Sequence, residues 1–346
     1  MPDNECSTFN KSGNILISDQ FNNRVIETNQ RGEIIWSFGF GPTILTCAGI
    51  LGVRDAQRFR HYTLMAGAGI PAGLIPEAPA GAIDNRVIAV DKIGNIVWQY
   101  GQFGQSGSSF NLLNVPVQCT YIPFSCPQKK HHKKIDPCKY FNLNGYILIT
   151  DQGNNRVIMV DKKKEIIWQY TNLNAPNSAE YLDNGNILIA DGLNNRAIEV
   201  NSVGVIVSTF TAIGTLGNCT FASRLPNGNT VLTDATNSRV VEVNPNDVIV
   251  WQYITNMNIS VPNPNPSRGL RLANGDTLIS DQYNNRVIQV NGLNVITAFY
   301  GLPSVNDLTL IGSNKGYAVG TTQLGLYCPA DAKIIGDYTG ITKSYI

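Results

Sequence analysis

The chain has 346 residues, of which 15% are charged, and its 26 Lys and Arg against 25 Asp and Glu give a formal net charge of +1. This near-neutral charge argues against a nucleic-acid or membrane-surface protein held by bulk charge, and no apolar stretch approaches the roughly 18 residues of a membrane span. The 32 Gly, 17 Pro and 39 Asn instead indicate many short strands joined by tight turns.

The first residues, MPDNECSTFNKSG, lack the basic segment followed by an apolar segment that marks a secretory signal peptide. Seven scattered Cys do not match the even number and regular spacing of a disulfide scaffold. The sequence therefore predicts an intracellular protein or a component of a virus particle. Abundant Asn, Ile and Lys are typical of AT-rich genes, such as those of microbes or large DNA viruses, and suggest the particle role as one interpretation.

One pattern recurs along almost the whole chain. Residues 13–39 read GNILISDQFNNRVIETNQRGEIIWSFG, and further copies follow at 82–101, 145–170, 185–210, 228–253 and 275–301. Each copy has one Arg at the start of a predicted strand: Arg24, Arg86, Arg156, Arg196, Arg239 and Arg286. A seventh copy at 317–340 keeps the hydrophobic spacing and lacks the motif residues. We count seven units of about 40 residues, with six as the alternative.

Alternating apolar residues and turn signals predict four short strands in each unit. Four antiparallel strands repeated radially form the blade of a β-propeller. The sequence therefore predicts an all-β fold, a single propeller domain over residues 1–346, with seven blades or, alternatively, six. The predicted units are 3–39, 51–101, 115–170, 176–210, 217–253, 262–301 and 303–340.

The first six units resemble the NHL-type and arylsulfotransferase-like propeller repeats. Those repeats also run from a strand to an Asp, an Asn-containing turn, an Arg that begins the third strand, and a Gly-led fourth strand. The resemblance implies a propeller fold. It leaves the activity open, because propellers of this kind include lyases, lactonases, sulfotransferases and binding modules.

An Asp closes the second strand of most units, five residues before the Arg of the same unit: Asp19, Asp151, Asp191, Asp234 and Asp281. A ring of carboxylates would suit a cation such as calcium. The one-to-one match of Asp with Arg instead favours a structural ion pair in each blade. Unit two has Gly67 in place of its Asp, and Glu180 is the only acid on the predicted inner strands. We therefore predict no metal site and no cofactor.

Insertions interrupt the repeat at 40–52, 66–82 and 102–114, all on the face that carries the turn between the second and third strands. The first two are apolar and rich in Gly and Pro. We expect them to pack as a lid over the central channel or to form a docking surface for another protein.

A fourth insertion, 123–142, is predicted on the opposite face. Its basic run is a candidate binding surface for an anionic partner, with a solvated loop as the alternative: Lys129, Lys130, His131, His132, Lys133 and Lys134. Cys126 and Cys138 flank this run. Their spacing with the two His does not match a zinc site, and it fits a loop-closing disulfide or two free thiols.

Candidates for catalysis are few. His61 is the only His within the repeat scaffold, and Arg54, Arg58 and Arg60 lie near it in the sequence. The arylsulfotransferase-like resemblance implies a channel His supported by Arg, so these four residues are the alternative catalytic set, and we commit to none of them. Cys6, Cys119 and Cys219 lie in predicted inner strands and are expected to be core residues.

We predict a non-enzymatic binding or structural propeller that presents its decorated faces to a protein partner or to further copies of itself. The alternative is a channel-sited enzyme of the arylsulfotransferase, lyase or esterase/lactonase kind. Polar side chains that converge at the channel mouth favour an enzyme, whereas an apolar plug or an exposed apolar patch favours a scaffold.

Overall fold

The computed structural model describes residues 9–59, 61–124, 143–255, 264–301 and 325–337. Within these residues, 24 strands form six antiparallel sheets of four strands, which are the blades of a β-propeller. The same part of the chain contains no helix that is long and apolar enough to cross a membrane.

The strands are numbered in chain order, and each blade runs from the channel outward. Blade one contains β24 (Pro329–Ile334), β1 (Ile15–Asp19), β2 (Arg24–Thr28) and β3 (Ile34–Gly39). Blade two contains β4 (Val53–Phe59), β5 (Tyr62–Gly67), β6 (Arg86–Val90) and β7 (Ile96–Gly101). Blade three contains β8 (Pro116–Pro123), β9 (Gly145–Asp151), β10 (Arg156–Val160) and β11 (Ile166–Tyr170).

Blade four contains β12 (Pro176–Tyr181), β13 (Ile187–Asp191), β14 (Arg196–Val200) and β15 (Ile206–Phe210). Blade five contains β16 (Cys219–Arg224), β17 (Thr230–Asp234), β18 (Arg239–Val243) and β19 (Ile249–Ile254). Blade six contains β20 (Arg268–Arg271), β21 (Thr277–Asp281), β22 (Arg286–Val290) and β23 (Ile296–Tyr300). Short 3-10 turns follow the second strand in four blades: Gln20–Asn22, Gln152–Asn154, Gly192–Asn194 and Gln282–Asn284.

The ring closes through β24, which pairs antiparallel with β1 as the innermost strand of blade one. The predicted count of seven blades is therefore not confirmed, and the described residues form the six-bladed alternative. The hydrophobic spacing of residues 317–340 favours a seventh unit in the sequence. An inner strand has the same alternation as any other blade strand, so this spacing does not reveal that residues 329–334 complete blade one.

Each pair of neighbouring blades encloses its own apolar cluster. Between blades one and two, for example, Leu16 and Val25 pack with Met65 and Ile88. Separate clusters fill the other five interfaces, including the one between blades six and one. Both faces of every blade are thus buried, which explains the apolar residues at nearly every position of the second and third strands.

The motif Asp and Arg form an ion pair in each of five blades. The Asp Oδ2 to Arg Nε distances are 2.8 Å for Asp19–Arg24, 2.7 Å for Asp151–Arg156, 2.8 Å for Asp191–Arg196, 2.9 Å for Asp234–Arg239 and 2.7 Å for Asp281–Arg286. The guanidinium groups also donate to carbonyls of the segments that lead into the inner strands: Gly325, Ser108 and Thr215. In these blades the pair therefore connects the second strand, the third strand and the segment that leads into the inner strand.

Blade two builds the same pair from a different position. Asp84 lies two residues before Arg86, and its Oδ1 is 2.6 Å from Arg86 Nε. Its Oδ2 accepts from Leu51 N at 2.6 Å, as Asp19 Oδ1 accepts from Tyr327 N in blade one. The absence of a side chain at Gly67 makes this possible, because a Cβ there would lie 2.7 Å from Asp84 Oδ2.

The second Asn of the turn joins neighbouring blades. Asn155 has a left-handed backbone with φ of 52°, which Asn tolerates well. Its Oδ1 accepts from the N–H that leads into the inner strand of the next blade, Ala175 N, at 2.8 Å. Asn23, Asn85 and Asn285 make the equivalent bond to Gly52, Val115 and Cys328.

The inner strands are also linked to one another around the channel by side chains that bond to the neighbouring backbone. The links, in blade order from two, are Asp55 to Cys119 N, Gln118 to Ala179 N, Ser178 to Ala222 N, Thr220 to Pro266 O, Ser267 to Ala330 O and Lys333 to Ala56 O. These six links form a closed ring.

The substitution Asn155→Gly tests the bond between blades three and four. Glycine adopts the same left-handed backbone, so the variant loses the bond to Ala175, and we expect the free energy of unfolding to fall by about 1 kcal/mol. Asn195→Gly is the matched control, because Asn195 has φ of 54° and makes no side-chain hydrogen bond within the described residues. Denaturant midpoints measure the difference. Equal midpoints for the two variants contradict the linking role of Asn155.

The substitution Gly67→Ala tests the rebuilt ion pair of blade two. The added methyl group would meet the Asp84 carboxylate and the Ile50 side chain within 2.8 Å, and we expect a loss of about 1–3 kcal/mol of stability. Gly292→Ala is the control, because a Cβ there meets no heavy atom within 4 Å. Thermal unfolding of both variants measures the effect, and an unchanged midpoint for Gly67→Ala shows that Asp84 does not need this space.

Candidate functional site

The channel mouth on the face of the Asn turns contains a cavity of about 370 Å³. Two kinds of position line it, namely the starts of inner strands and the turns after second strands. The inner strands and the segments before them contribute Arg54, Val117, Asn177, Asn218, Thr220, Asn265, Ser267, Arg268 and Ala330. The turns contribute Gln20, Phe21, Gln152, Gln282 and Tyr283. Every blade therefore supplies part of the wall.

Side-chain amides form hydrogen-bonded groups around this mouth. Gln152 Nε2 donates to Asn177 Oδ1 at 2.6 Å. On another part of the wall, Asn265 Nδ2 donates to Gln282 Oε1 at 3.0 Å, and Gln282 Nε2 donates to Gln20 Oε1 at 2.7 Å. Each amide has two donors and an acceptor, so bonds among themselves do not exhaust them. The wall can therefore both donate to and accept from a polar molecule.

Arg54 is the cation of the wall that has no carboxylate partner in the described part of the chain. Its Nη1 donates only to the neutral Gln20 Oε1, at 3.5 Å, and no carboxylate of the described residues lies within 4 Å of it. Burial lowers the pKa of Arg54, and the nearby Arg268 lowers it further. A guanidinium nevertheless stays protonated at neutral pH, so the cavity carries an uncompensated positive charge.

Arg268 crosses the channel axis. It begins on blade six, and its Nη2 donates to Val117 O on the opposite blade three at 3.2 Å. Its guanidinium also lies 3.6 Å from Asp55 Oδ1 and 3.3 Å from Asp331 Oδ1. Lys333 Nζ completes the group, 2.8 Å from Asp55 Oδ1 and in direct contact with Asp331. Together with Arg54, the site has three cations against two carboxylates.

The carboxyl groups of this cluster have different environments. Burial raises the pKa of Asp55, but Lys333 and Arg268 outweigh it and the net pKa is lowered. Burial dominates at Asp331, where the pKa is raised despite the same two cations. Burial lowers the pKa of Lys333, but the two carboxylates outweigh this effect and the net pKa is raised. Lys333 therefore stays protonated between the two carboxyl groups.

Both apolar insertions reach the channel mouth. Pro71 and Leu74, from the 66–82 insertion, line the cavity directly. One apolar cluster joins the two insertions to the rim: Phe21, Leu45, Ile70, Leu74, Ile75, Ala78, Tyr283, Tyr327 and Cys328. The structure therefore shows both insertions packed against the rim of the channel, and their role as a docking surface stays a prediction. The cavity lining consequently includes apolar residues as well as polar ones.

The structure separates the residues of the alternative catalytic set. Arg54 lies at the cavity, whereas His61 is exposed in the turn at the other end of β4. Arg58 forms an ion pair with Glu27 at 2.7 Å and lies over the Trp36 ring, 4.2 Å from its centroid. Arg60 lies outside the described residues. His61 and Arg54 thus face opposite ends of the propeller.

The basic run and the two flanking Cys, 126–138, also lie outside the described residues, and their predicted roles stay predictions. Cys119 and Cys219 are buried, and burial raises the pKa of both thiols. Such thiols are poor nucleophiles at neutral pH. Among the described residues, no group of three or more His, Cys, Asp or Glu is arranged to hold a metal ion.

Sequence reasoning missed most residues of the cavity wall. One available signal was the Gln that follows the motif Asp in three units, at Gln20, Gln152 and Gln282. This position comes directly after a second strand, on the face of the insertions. A Gln repeated there in blades one, three and six places three amides at one end of the channel.

No protein-family model matches the chain, and no curated protein matches it. Several solved structures are similar in fold. A streptogramin B lyase is 14% identical, with 92% of this chain and 88% of that chain covered and a TM-score of 0.50. A protein of unknown function from Bacteroides caccae is 11% identical, with coverages of 84% and 93% and a TM-score of 0.50. A nidogen/laminin complex is 12% identical, with coverages of 83% and 92% and a TM-score of 0.51.

These likenesses support a β-propeller repeat protein. At such low identities they show the fold alone, so they do not decide between a lyase and a protein-binding module. The more specific resemblance to NHL-type or arylsulfotransferase-like repeats stays a prediction.

The substitution Lys333→Met tests the charge cluster. Because it leaves two buried carboxylates with Arg268 alone, we expect stability at pH 7 to fall by about 3–5 kcal/mol. The pKa of one carboxyl group then rises further above its unfolded value. The folded state binds that proton more tightly than the unfolded state, so part of the loss is recovered as the pH falls through the raised pKa.

Urea unfolding of Lys333→Met between pH 7 and pH 5 measures this recovery. Lys92→Met, at an exposed position on blade two, is the control and should change little at either pH. A Lys333→Met loss of the same size at both pH values contradicts the assignment of Lys333 as the shared counter-ion.

Proposed function

We propose that the protein is a binding propeller that holds a small polar molecule in the cavity at its channel mouth. The observation that carries this proposal is the convergence of side chains from all six blades on one cavity of about 370 Å³. Ligand pockets for small molecules have volumes of about 300–1,000 Å³, and they combine apolar walls with a few convergent polar groups.

Binding is favoured over catalysis by the chemistry of the lining. The described lining residues include no His, Cys, Asp or Glu, which are the usual groups for proton transfer near neutral pH. Tyr283 is the only titratable group of the wall besides the two Arg, and burial raises its pKa. Polar side chains do converge at the channel mouth, as expected of an enzyme. The described lining residues, however, include no base that would act on a bound substrate.

A protein partner is the second candidate. Ile70 and Ile75 of the 66–82 insertion are buried in the cluster at the rim, so they do not offer an apolar surface. Phe40, Ile44 and Phe110, however, remain exposed in the insertions. Large exposed apolar side chains on one face favour docking. The similarity to a propeller in a nidogen/laminin complex is consistent with such a role.

The test uses ligand-observed NMR with four defined probes, namely glucose, succinate, hexanoate and spermidine. A variant, Gln152→Trp, places a large side chain at the cavity wall, and Gln169→Trp makes the same change on an exposed outer strand of the same blade. We expect at least one probe to bind the wild type and Gln169→Trp, and to bind Gln152→Trp at least about tenfold more weakly, a change of about 1.4 kcal/mol.

Circular dichroism confirms that both variants are folded. If no probe binds the wild type, or if Gln152→Trp binds every probe as well as Gln169→Trp, the cavity is not a ligand site. If a probe is chemically converted by the wild type, the enzyme hypothesis replaces the binding hypothesis.

A further inference from the structure

One cation of the channel cavity, Arg54, has no carboxylate partner among the described residues. Arg268 lines the cavity and, together with Lys333 beside it, contacts both Asp55 and Asp331. Among the described residues, the only hydrogen bond of the Arg54 side chain is to the neutral amide oxygen of Gln20, at 3.5 Å. A cation that is partly removed from water without a counter-ion raises the free energy of the folded protein.

Arg268 lies beside Arg54 and lines the same cavity. Its side chain is 7% exposed, and its Nη1 is buried with no hydrogen-bond partner among the described residues. Both guanidinium groups line the cavity, and they lie close enough for Arg268 to disfavour the charge of Arg54. Two neighbouring cations, of which Arg54 has no carboxylate partner among the described residues, favour an anion at this place.

Part of the cavity lining is apolar or aromatic. Phe21, Tyr283 and Leu74 form this part, and all three belong to the apolar cluster at the rim. An inorganic anion would use the Arg groups and leave this part in contact with water. A molecule with an anionic end and an apolar end matches both parts of the lining.

We propose that the ligand of the channel cavity is a small organic carboxylate whose anionic group binds Arg54, beside Arg268, and whose apolar part packs against Phe21, Leu74 and Tyr283. This inference rests on the proposed binding function and specifies its ligand class. Guanidinium groups bind carboxylates in a planar, bidentate manner, and the surrounding amides can bond to further polar groups of the ligand.

The experiment compares four probes that differ in one property each. Hexanoate has both features, hexanamide lacks the charge, hexylammonium reverses it, and acetate lacks the apolar chain. Inorganic phosphate is added as a purely anionic probe. Isothermal titration against the full chain is expected to give the tightest binding for hexanoate, and weaker binding for each of the others.

Three substitutions test whether Arg54 supplies the charge that binds the ligand. Arg54→Gln should weaken hexanoate binding about tenfold to a hundredfold, because a charge-assisted hydrogen bond is lost, and should leave hexanamide binding nearly unchanged. Arg31→Gln, at an exposed turn of blade one, should change neither. Arg54→Lys keeps the charge without the planar fork and is expected to lie between the wild type and Arg54→Gln.

The thermal midpoint without ligand is an independent measurement. If Arg54 is held for an anion, its removal relieves an unpaired charge, so ligand-free Arg54→Gln should unfold at the same temperature as the wild type or higher. If its midpoint falls by several degrees, Arg54 is a structural residue and the inference is overturned.

The two proposals fail in different ways. Binding of hexanamide or hexylammonium as tightly as hexanoate would refute the anion inference and leave the ligand site in place. Tightest binding by phosphate or acetate would refute the apolar part of the inference. Absence of binding by all five probes counts against the ligand site itself.

Discussion

The inner edges of six sheets meet around one axis, and no further strand of the described residues pairs with them. Their backbone N–H and C=O groups must therefore find other partners. Side chains of the neighbouring inner strand supply these partners, as where Asp55 accepts from Cys119 N and Ser267 donates to Ala330 O. This requirement explains why short polar residues stand at the centre of a ring whose blade interfaces are apolar. Polar side chains of the inner strands are thus needed to link neighbouring strands, and only those that make no such link are available to bind a ligand.

Closure of the ring also depends on polar side chains of the inner strands, because blade one is assembled from two distant parts of the chain. Its last strand, β24, brings Asp331 and Lys333 against Asp55 of blade two and Arg268 of blade six. Buried ion pairs add little net stability compared with apolar packing, but separating them is costly. A slip of β24 by one residue would turn both charges to the opposite face. The cluster therefore specifies the register of the strand that closes the ring.

The propeller could be predicted from the sequence because each blade repeats the same turn chemistry, which survives even where the strands differ. The number of blades could not be predicted in this way, because a single inner strand shows the same alternation of apolar and polar residues as the strands of a complete unit. Asp84 was missed because it lies two residues before Arg86 instead of five, although its carboxylate occupies the usual place. The cavity was missed because Arg54, Gln152 and Arg268 are far apart in the sequence and meet only through ring closure.

The positively charged side chains at the channel fall into two groups. Deeper in the channel, Arg268 and Lys333 are compensated by acids that the ring needs for its own linkage. Arg54 comes one residue before Asp55 on β4, where the pairing with β5 shifts register, and it lines the cavity instead of joining that cluster. Its unpaired charge makes the ligand-free protein less stable than it would otherwise be. Under the binding function proposed above, the six apolar interfaces between blades offset this cost, and the positive charge is in place before the anion binds.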